Sequence, residues 1–535
     1  MRGAGTISRP LFFATVPASK VTTAEPFPSG RNHLHRQLDR QKTKIAMNKL
    51  NSAPKQGARR GRRSCREVPA ITIGTNPMTR THIIMPCFDN HLQHQPLSTM
   101  KAFFSIIFAV ALSIGGVEGQ TLLTETTWGG VGSDVAEGVA SAADGSSYVV
   151  GITDSFTTDQ FGNPSPKIFV VKFAPDGSLS WQRIWNRTTI RGLGRPDVAV
   201  SADGSVYVTG ITADNGNDAV LLKFDANGTL LWERDWGGAA SDEGLAVATA
   251  SDGSVYLAGA ATSFGPSSSG LFVVKFDSAG NLVWQRISDG AAGNAVAVAS
   301  DGSVYAAGTI PRADQIGNFD IVVLKITAAG SLVWQRTYSA GEVVDPRGRM
   351  ATGSDGSIVI AGAIQAASRR FVDIAALIVK LTSDGALVFD KQFAGRASET
   401  GDGVAVAPDN TIYVAGTTTS FGAGNQDVFV LHLQPTGKKL LDAFTWGGPG
   451  FETGAGIAVN GGTLMLAATT TTAPPYSLLA ASAKLSGPRG TLAVVEGVLA
   501  DVPGVVANPG AGATAPTGST IFSGNFEAAL VRVAR

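Results

Sequence analysis

An all-β propeller of four-stranded antiparallel blades is the fold this sequence predicts, and three observations predict it. An Asp-Gly-Ser-Val-Tyr-Val-x-Gly pattern returns about every fifty residues. It reads ADGSSYVVG (143–151), ADGSVYVTG (202–210), SDGSVYLAG (251–259), SDGSVYAAG (300–308), SDGSIVIAG (354–362) and PDNTIYVAG (408–416). Each copy is followed by an apolar run ending in a cation, such as LFVVKF (271–276), and then by a Trp-Gln-Arg run, such as LVWQRIS (282–288). Short strands repeated at this period are the mark of a radial β-architecture.

Within a copy the first strand is the GVAVA-type run before the Asp-Gly turn, and the second is SVYVAG. Asp-Gly provides the positive φ that a tight hairpin needs, so the two strands pair antiparallel. The third strand lacks clean alternation, which implies that both of its faces are covered by neighbouring blades. Runs of this type occur eight times, as IFVVKF, AVLLKF, LFVVKF, IVVLKI, ALIVKL, VFVLHL, AASAKL (480–485) and AALVRV (528–533). The expectation is therefore eight blades, with seven as the alternative.

The fourth strand places Trp181, Arg183 and Trp185 on one face, and Trp232, Arg234 and Trp236 likewise. A guanidinium between two indoles suggests cation-π stacking, and its recurrence in successive copies points to packing between blades instead of a ligand platform. The last third strand reaches the C-terminus with no fourth strand after it. TLLTETTWGG (121–130) matches LLWERDWGG (230–238) and has no third strand before it, so the N-terminal strand is expected to complete the last blade and close the ring.

Charge divides the chain. Residues 1–99 carry 16 Lys+Arg against 4 Asp+Glu, and the remainder carries 27 against 38. At the junction, Met100-Lys101 precedes AFFSIIFAVALSIGGV (102–117), an apolar run short for a bilayer span and ended by small residues. This reads as a secretory signal over 100–119 cut near Gln120, with a cut after Gly115 as the second choice. Translation from Met100 is the simplest account of the basic leader, residues 1–99; a transit-type extension is the alternative. The propeller then occupies 120–535. Its place is outside the cytoplasm, as a secreted, periplasmic or surface-displayed monomer, with no membrane span.

Chemistry is sparse in the propeller. Both cysteines, Cys65 and Cys87, lie in the leader, and His432 is the one histidine after Gln120, standing in the column of Lys172, Lys223, Lys275, Lys325 and Lys380. Thiol catalysis, disulfides, histidine metal sites and a Ser-His-Asp triad are thereby disfavoured, and no GxSxG, HExxH or P-loop pattern occurs. No cofactor, metal or nucleic-acid partner is expected. Most carboxylates fall in turns, where local backbone bonding explains them. The lysine column is expected to pair with acids such as Asp218, Asp320 and Asp427.

WGG at 128, 236 and 446 with an acid a few positions on (Asp134, Asp242, Glu452), the DGSVYV turn and the VVKFxxxGxLxWQR hairpin together resemble the bacterial SBBP-type β-propeller repeat family. The resemblance covers nearly all of 120–535. It implies a seven-bladed propeller and a secreted or surface-displayed module without a named ligand. The expected function is a binding or structural scaffold for an extracellular protein or glycan; the alternative is a secreted hydrolase or lyase acting on carbohydrate through acids in its loops. Strand order puts the Asp/Asn-Gly turns on one face of the disc and the variable loops on the other. Phe161, Asn163, Arg312, Arg369 and Arg370 on that loop face are the candidate binding residues.

Overall fold

The computed structural model describes residues 120–534 apart from short stretches, the longest being 496–504 and 515–525, and, in the leader, an antiparallel pair of strands, Ile71–Ile73 and Thr81–Ile83. The leader forms a unit separate from the propeller. Among the described residues of the propeller there are seven antiparallel blades. Blade 1 runs Asp134–Ser141, Ser147–Thr153, Lys167–Phe173 and Leu179–Trp185 from axis to rim. Blades 2 to 6 follow in chain order, with inner strands beginning at Asp197, Asp242, Ala292, Met350 and Glu399.

Blade 7 is composite. Glu452–Asn460 and Thr463–Thr470 are followed by Glu527–Ala534 as third strand and Thr121–Trp128 as fourth, so strands from the two ends of the propeller pair side by side. The expected closure by the N-terminal strand is what the register shows. The expected count of eight is corrected to seven, because AASAKL is not a third strand. Ser477–Ala480 instead adds a fifth strand to the rim of blade 6, and Leu485–Ser486 to that of blade 5. Thr491–Val495, Val505–Ala507 and Ala513–Thr514 do the same for blades 4, 2 and 1. A strand buried on both faces needs bulky side chains, and Ala480, Ala481 and Ala483 do not supply them. Prolines at 474, 475, 488, 503, 509 and 516 limit this segment to short edge pairings.

Core residues fall into seven clusters, each shared by two consecutive blades, with the last joining blade 7 to blade 1. The terminal Gly of the repeat motif has a steric cause. A Cβ on Gly259 would lie 1.7 Å from the Glu243 carbonyl oxygen, and one on Gly416 would lie 1.8 Å from that of Thr400. This close approach accompanies a β-bulge in the facing inner strand, which in blades 1, 3, 4, 6 and 7 skips Glu137, Leu245, Asn294, Asp402 and Ala455.

The fourth-strand stripe does join blades. Trp181 Nε1 donates to the Ala226 carbonyl (3.0 Å) and Arg183 Nε to that of Gly228 (2.6 Å), both in the next blade's outer turn. The guanidinium does not sit between two indoles: Arg183 stacks on Trp181 at 5.4 Å, while Trp185 is wholly buried and bonds Glu233 of blade 2 (3.1 Å). The two indoles are four residues apart, about 13 Å along a strand that rises about 3.3 Å per residue, so Trp181 meets the outer turn of the next blade while Trp185 enters the core between blades.

The lysine column is also corrected. Asp218, Asp320 and Asp427 stand at the beginnings of the third strands and the lysines at their ends, a strand length apart at about 3.3 Å per residue. Lys275 reaches Asp252 (3.6 Å) and Lys380 reaches Asp355 (3.5 Å), the aspartates of their own blades' inner turns. Lys223 Nζ donates to Ser278 O of the next blade (2.8 Å) and lies 5.2 Å from the centre of the Tyr207 ring. His432 takes this place in blade 6, stacked on Tyr413 at 4.2 Å. The turn aspartates accept backbone N–H groups as expected: Asp203, Asp252 and Asp301 each do so from the serine two residues on, at 2.9 Å.

Candidate functional site: the loop face and the channel mouth

Inner strands run from the loop face towards the Asp-Gly face, so residues at their starts stand at the loop-face mouth of the central channel. Arg195 lies two residues before the inner strand of blade 2, and Arg349 immediately before that of blade 5. Arg349 crosses the axis. Its guanidinium pairs with Asp197 of blade 2 and donates to the Glu137 carbonyl of blade 1 (2.5 Å). Arg195 Nε meets Glu137 Oε2 at 3.0 Å.

Asp402, the bulge residue of blade 6, completes the cluster; its carboxylate accepts from the Thr400 and Thr417 hydroxyls, both at 3.1 Å. Burial pushes its pKa up to about 6, against the pull of Arg195. Burial, and then the like charge of Arg195, brings the Arg349 pKa down to about 9. Arg349 nevertheless keeps 23% of its side chain exposed, as expected for a group lining a channel.

Asp402 gives a pH prediction whose sign is fixed. Its folded pKa of about 6 lies above the ordinary 3.8, so its contribution to stability is fully present below about pH 3.8 and is lost as pH rises through about 6. An Asn at this position can accept from both hydroxyls without a charge. Asp402→Asn should therefore stabilise the protein at pH 8 by up to about 3 kcal/mol, since the folded and unfolded pKa values stand about two pH units apart and each unit is worth about 1.4 kcal/mol. Near pH 4 the substitution should have little effect. Paired melting curves at the two pH values read the difference; a variant melting at or below wild type at pH 8 would contradict it.

The loop face surrounds this mouth. Phe161 is 79% exposed at a loop tip organised by Asp159, which accepts the N–H groups of Phe161 (2.8 Å) and Asn163 (2.9 Å). The Asn163 amide also binds Asp159 (3.1 Å), so it braces the loop. Arg312 is engaged by Asp320 (3.3 Å) and Ser339 (2.6 Å). Arg369 and Arg370 lie outside the described residues. Phe161 and Asn163 belong to blade 1 and Arg312 to blade 4, three blades away in a ring of seven, so these candidates do not converge.

Sequence reasoning missed Val131 (82% exposed), Phe451 and Phe526 (both 48%), which display apolar surface on the loop face about blade 7. Phe451 was detectable, because it replaces the serine found at Ser133, Ser241 and Ser398 in the matching loops. The acids of those loops are structural. Asp242 accepts from Gly238 N (2.8 Å) and Ser263 Oγ (2.5 Å), and Glu452 from Gly448 N (2.8 Å) and Thr470 Oγ1 (2.9 Å), tying each inter-blade loop to its neighbour. Among the described residues no group of three or more His, Cys, Asp or Glu side chains is placed to hold a metal ion. No helix among them is long and apolar enough to cross a membrane.

Seven antiparallel blades built from one repeated motif make the chain a β-propeller repeat protein. A family model described as "Domain of unknown function (DUF5122) beta-propeller" matches residues 407–439, the inner turn, second strand, third strand and outer turn of blade 6. The chain is 33% identical over 101 residues to the "Regulatory protein FlaEY" of Caulobacter vibrioides, a match spanning 16% of this chain and 11% of that relative's length. Among solved structures it is similar to the polysaccharide lyase Uly1, at 9% identity and a TM-score of 0.40, over 77% of this chain and 99% of the other. It is similar also to the Dos1 propeller, at 11% identity and a TM-score of 0.37, over 69% and 96%.

Proposed function

We propose that this protein is an exported propeller of the SBBP-type repeat class, acting outside the cytoplasm as a rigid scaffold that binds an extracellular protein or glycan through its loop face. The observation that carries this reading is the contrast between the two faces. On the Asp-Gly face the turns are short, similar and internally bonded, with φ between +73° and +85° at Gly145, Gly204, Gly253, Gly302 and Gly356. On the loop face the connections from second to third strand differ in length and sequence in every blade, and large apolar side chains are displayed. Variable loops on a rigid disc are where recognition residues collect.

The channel cluster fits the same role. Each of its carboxylates is bonded to an arginine or to hydroxyls, and Arg349 ties blade 5 to blades 1 and 2 across the axis. A second reading, a hydrolase or lyase acting on carbohydrate, draws on one feature: Asp402 titrates near 6 beside Arg195 at the channel mouth. Turnover of a polysaccharide panel by wild type and its absence in Asp402→Asn would favour that reading over the scaffold.

The test uses exported protein, which N-terminal sequencing should find beginning within a few residues of Gln120, on arrays of glycans and secreted proteins. Phe161, Asn163, Arg312, Arg369 and Arg370 remain the candidate contacts. Replacing Phe161, Phe451, Arg369 and Arg370 together by Ser should abolish binding of any array hit and leave the melting temperature within a few degrees of wild type. Retained binding by this variant, with loss on altering the Asp-Gly turns, would place recognition on the other face.

A further inference from the structure

Blades 1 to 5 flank the third-strand lysine with bulky, mostly aromatic side chains, and blade 6 stacks Tyr413 on His432 at that place; blade 7 does neither. In blade 1, Lys172 is flanked across the sheet by Tyr148 and Trp181; in blade 2, Lys223 by Tyr207 and Trp232. At the same register in blade 7, Arg532 is flanked by Met465 and Thr124. The inner turn changes as well: where blades 1 to 5 place an aspartate close enough to act on the lysine, blade 7 has Asn460-Gly461-Gly462. Two rings and a carboxylate are lost together at the seam where the ends of the propeller meet.

The result is a cavity of about 210 Å³ on the Asp-Gly face, lined by Ala143, Asp144 and Gly145 of blade 1 and by Asn460, Thr463, Met465 and Arg532 of blade 7. Arg532 is only 7% exposed. One of its terminal nitrogens donates to the Pro175 carbonyl, and its buried Nε–H has no hydrogen-bond partner. A buried donor left unpaired is costly, so this group favours an incoming acceptor. Asp144 is held in place by the Ser146 N–H (2.8 Å) and hydroxyl (3.0 Å), and Asn460 by donation to the Ala142 carbonyl (2.6 Å).

We infer that this cavity binds a single neutral, hexose-sized sugar residue. Its volume equals about seven waters at roughly 30 Å³ each, the scale of one pyranose ring. One cation and one anion line it, so no net charge is asked of the ligand. The guanidinium donates to ring hydroxyl oxygens, the carboxylate accepts from hydroxyls, and Met465 provides an apolar surface for the C–H face of the ring. The site lies on the face opposite the variable loops and stands independently of the proposed scaffold role.

The experiment titrates intact exported protein with D-glucose, D-galactose and D-mannose, and with glucuronate and glucosamine as charged comparators, by calorimetry or ligand-observed NMR. At least one neutral hexose should bind, with the millimolar dissociation constant of a small ligand held by few contacts. Met465→Tyr restores the ring that other blades carry and should weaken binding at least tenfold with an unchanged or higher melting temperature. Asn460→Leu, at the rim, should weaken it at least fivefold and serves if the first variant folds poorly. No hexose binding to wild type, equal binding by both variants, or equal or tighter binding of the charged sugars would each overturn the assignment.

Discussion

Deleting Thr121–Trp128 should abolish the cooperative melting transition and drive the protein into aggregates. This strand is the fourth of blade 7, paired with Glu527–Ala534 from Thr121↔Ala534 to Trp128↔Ala528. It carries Trp128, 3% exposed, which packs 4.4 Å from Phe169 and donates to Gln182 of blade 1 (2.6 Å). It also supplies Glu125, which accepts from Trp446 of blade 6 (3.3 Å). Both neighbouring blades therefore lose contacts with the one removed. Losing a buried tryptophan alone costs about 3–5 kcal/mol, against a total stability of about 5–15 kcal/mol for a typical domain. The newly bared edge of Glu527–Ala534 is apolar and unpaired, the condition under which sheets recruit strands from other molecules. Near-ultraviolet circular dichroism on heating, with size-exclusion chromatography, reads both effects. A deletion variant with an unaltered transition would show that the ring closes by other means.

The strand pattern, both turn types, the buried third strands and the N-terminal closure were legible because each is a local signal repeated in several copies. The blade count was not, since it rested on AASAKL matching a third strand in its terminal Lys-Leu while lacking the bulk that position requires. What the segment after Tyr476 does depends on which rims it meets, and nothing local to 477–514 encodes a run backwards past blades 6, 5, 4, 2 and 1. The channel cluster was hidden for a related reason. Arg195, Glu137, Arg349 and Asp402 are far apart in sequence and converge only because four inner strands surround one axis. A bulge that skips Glu137 or Asp402 leaves no mark in the alternation beyond the motif's terminal Gly. Of the loop candidates, Phe161 was legible as an apolar residue in a polar insertion; that Arg312 is held by Asp320 and Ser339 required the fold.

Trp236→Ala should cost about 3–5 kcal/mol and Trp232→Ala about a third of that, although the two residues stand four apart on the same face of one strand. Trp236 is completely buried between blades 2 and 3, with its ring centre 4.1 Å from that of Phe272 and 5.3 Å from that of Phe264. Its indole N–H donates to Gln285 of blade 3 (2.8 Å), so truncation opens a cavity and removes a hydrogen bond between blades together. Trp232 lies near the outer turn, half-buried, with Arg234 stacked on it at 5.1 Å and a longer bond to the Ser278 carbonyl (3.3 Å). A partly solvated cation-π pair contributes about 0.5–1 kcal/mol, and the rest of its loss is surface that water can rehydrate. At about 2–4 °C per kcal/mol for domains of 150–250 residues, and less for a larger ring, the inner variant should melt several degrees below the outer one. Urea titration of both variants measures the same difference as free energy. Equal losses would mean that the two indoles share one layer, with the arginine between them, and that adjacent blades are fastened at their outer turns as firmly as in the core between them.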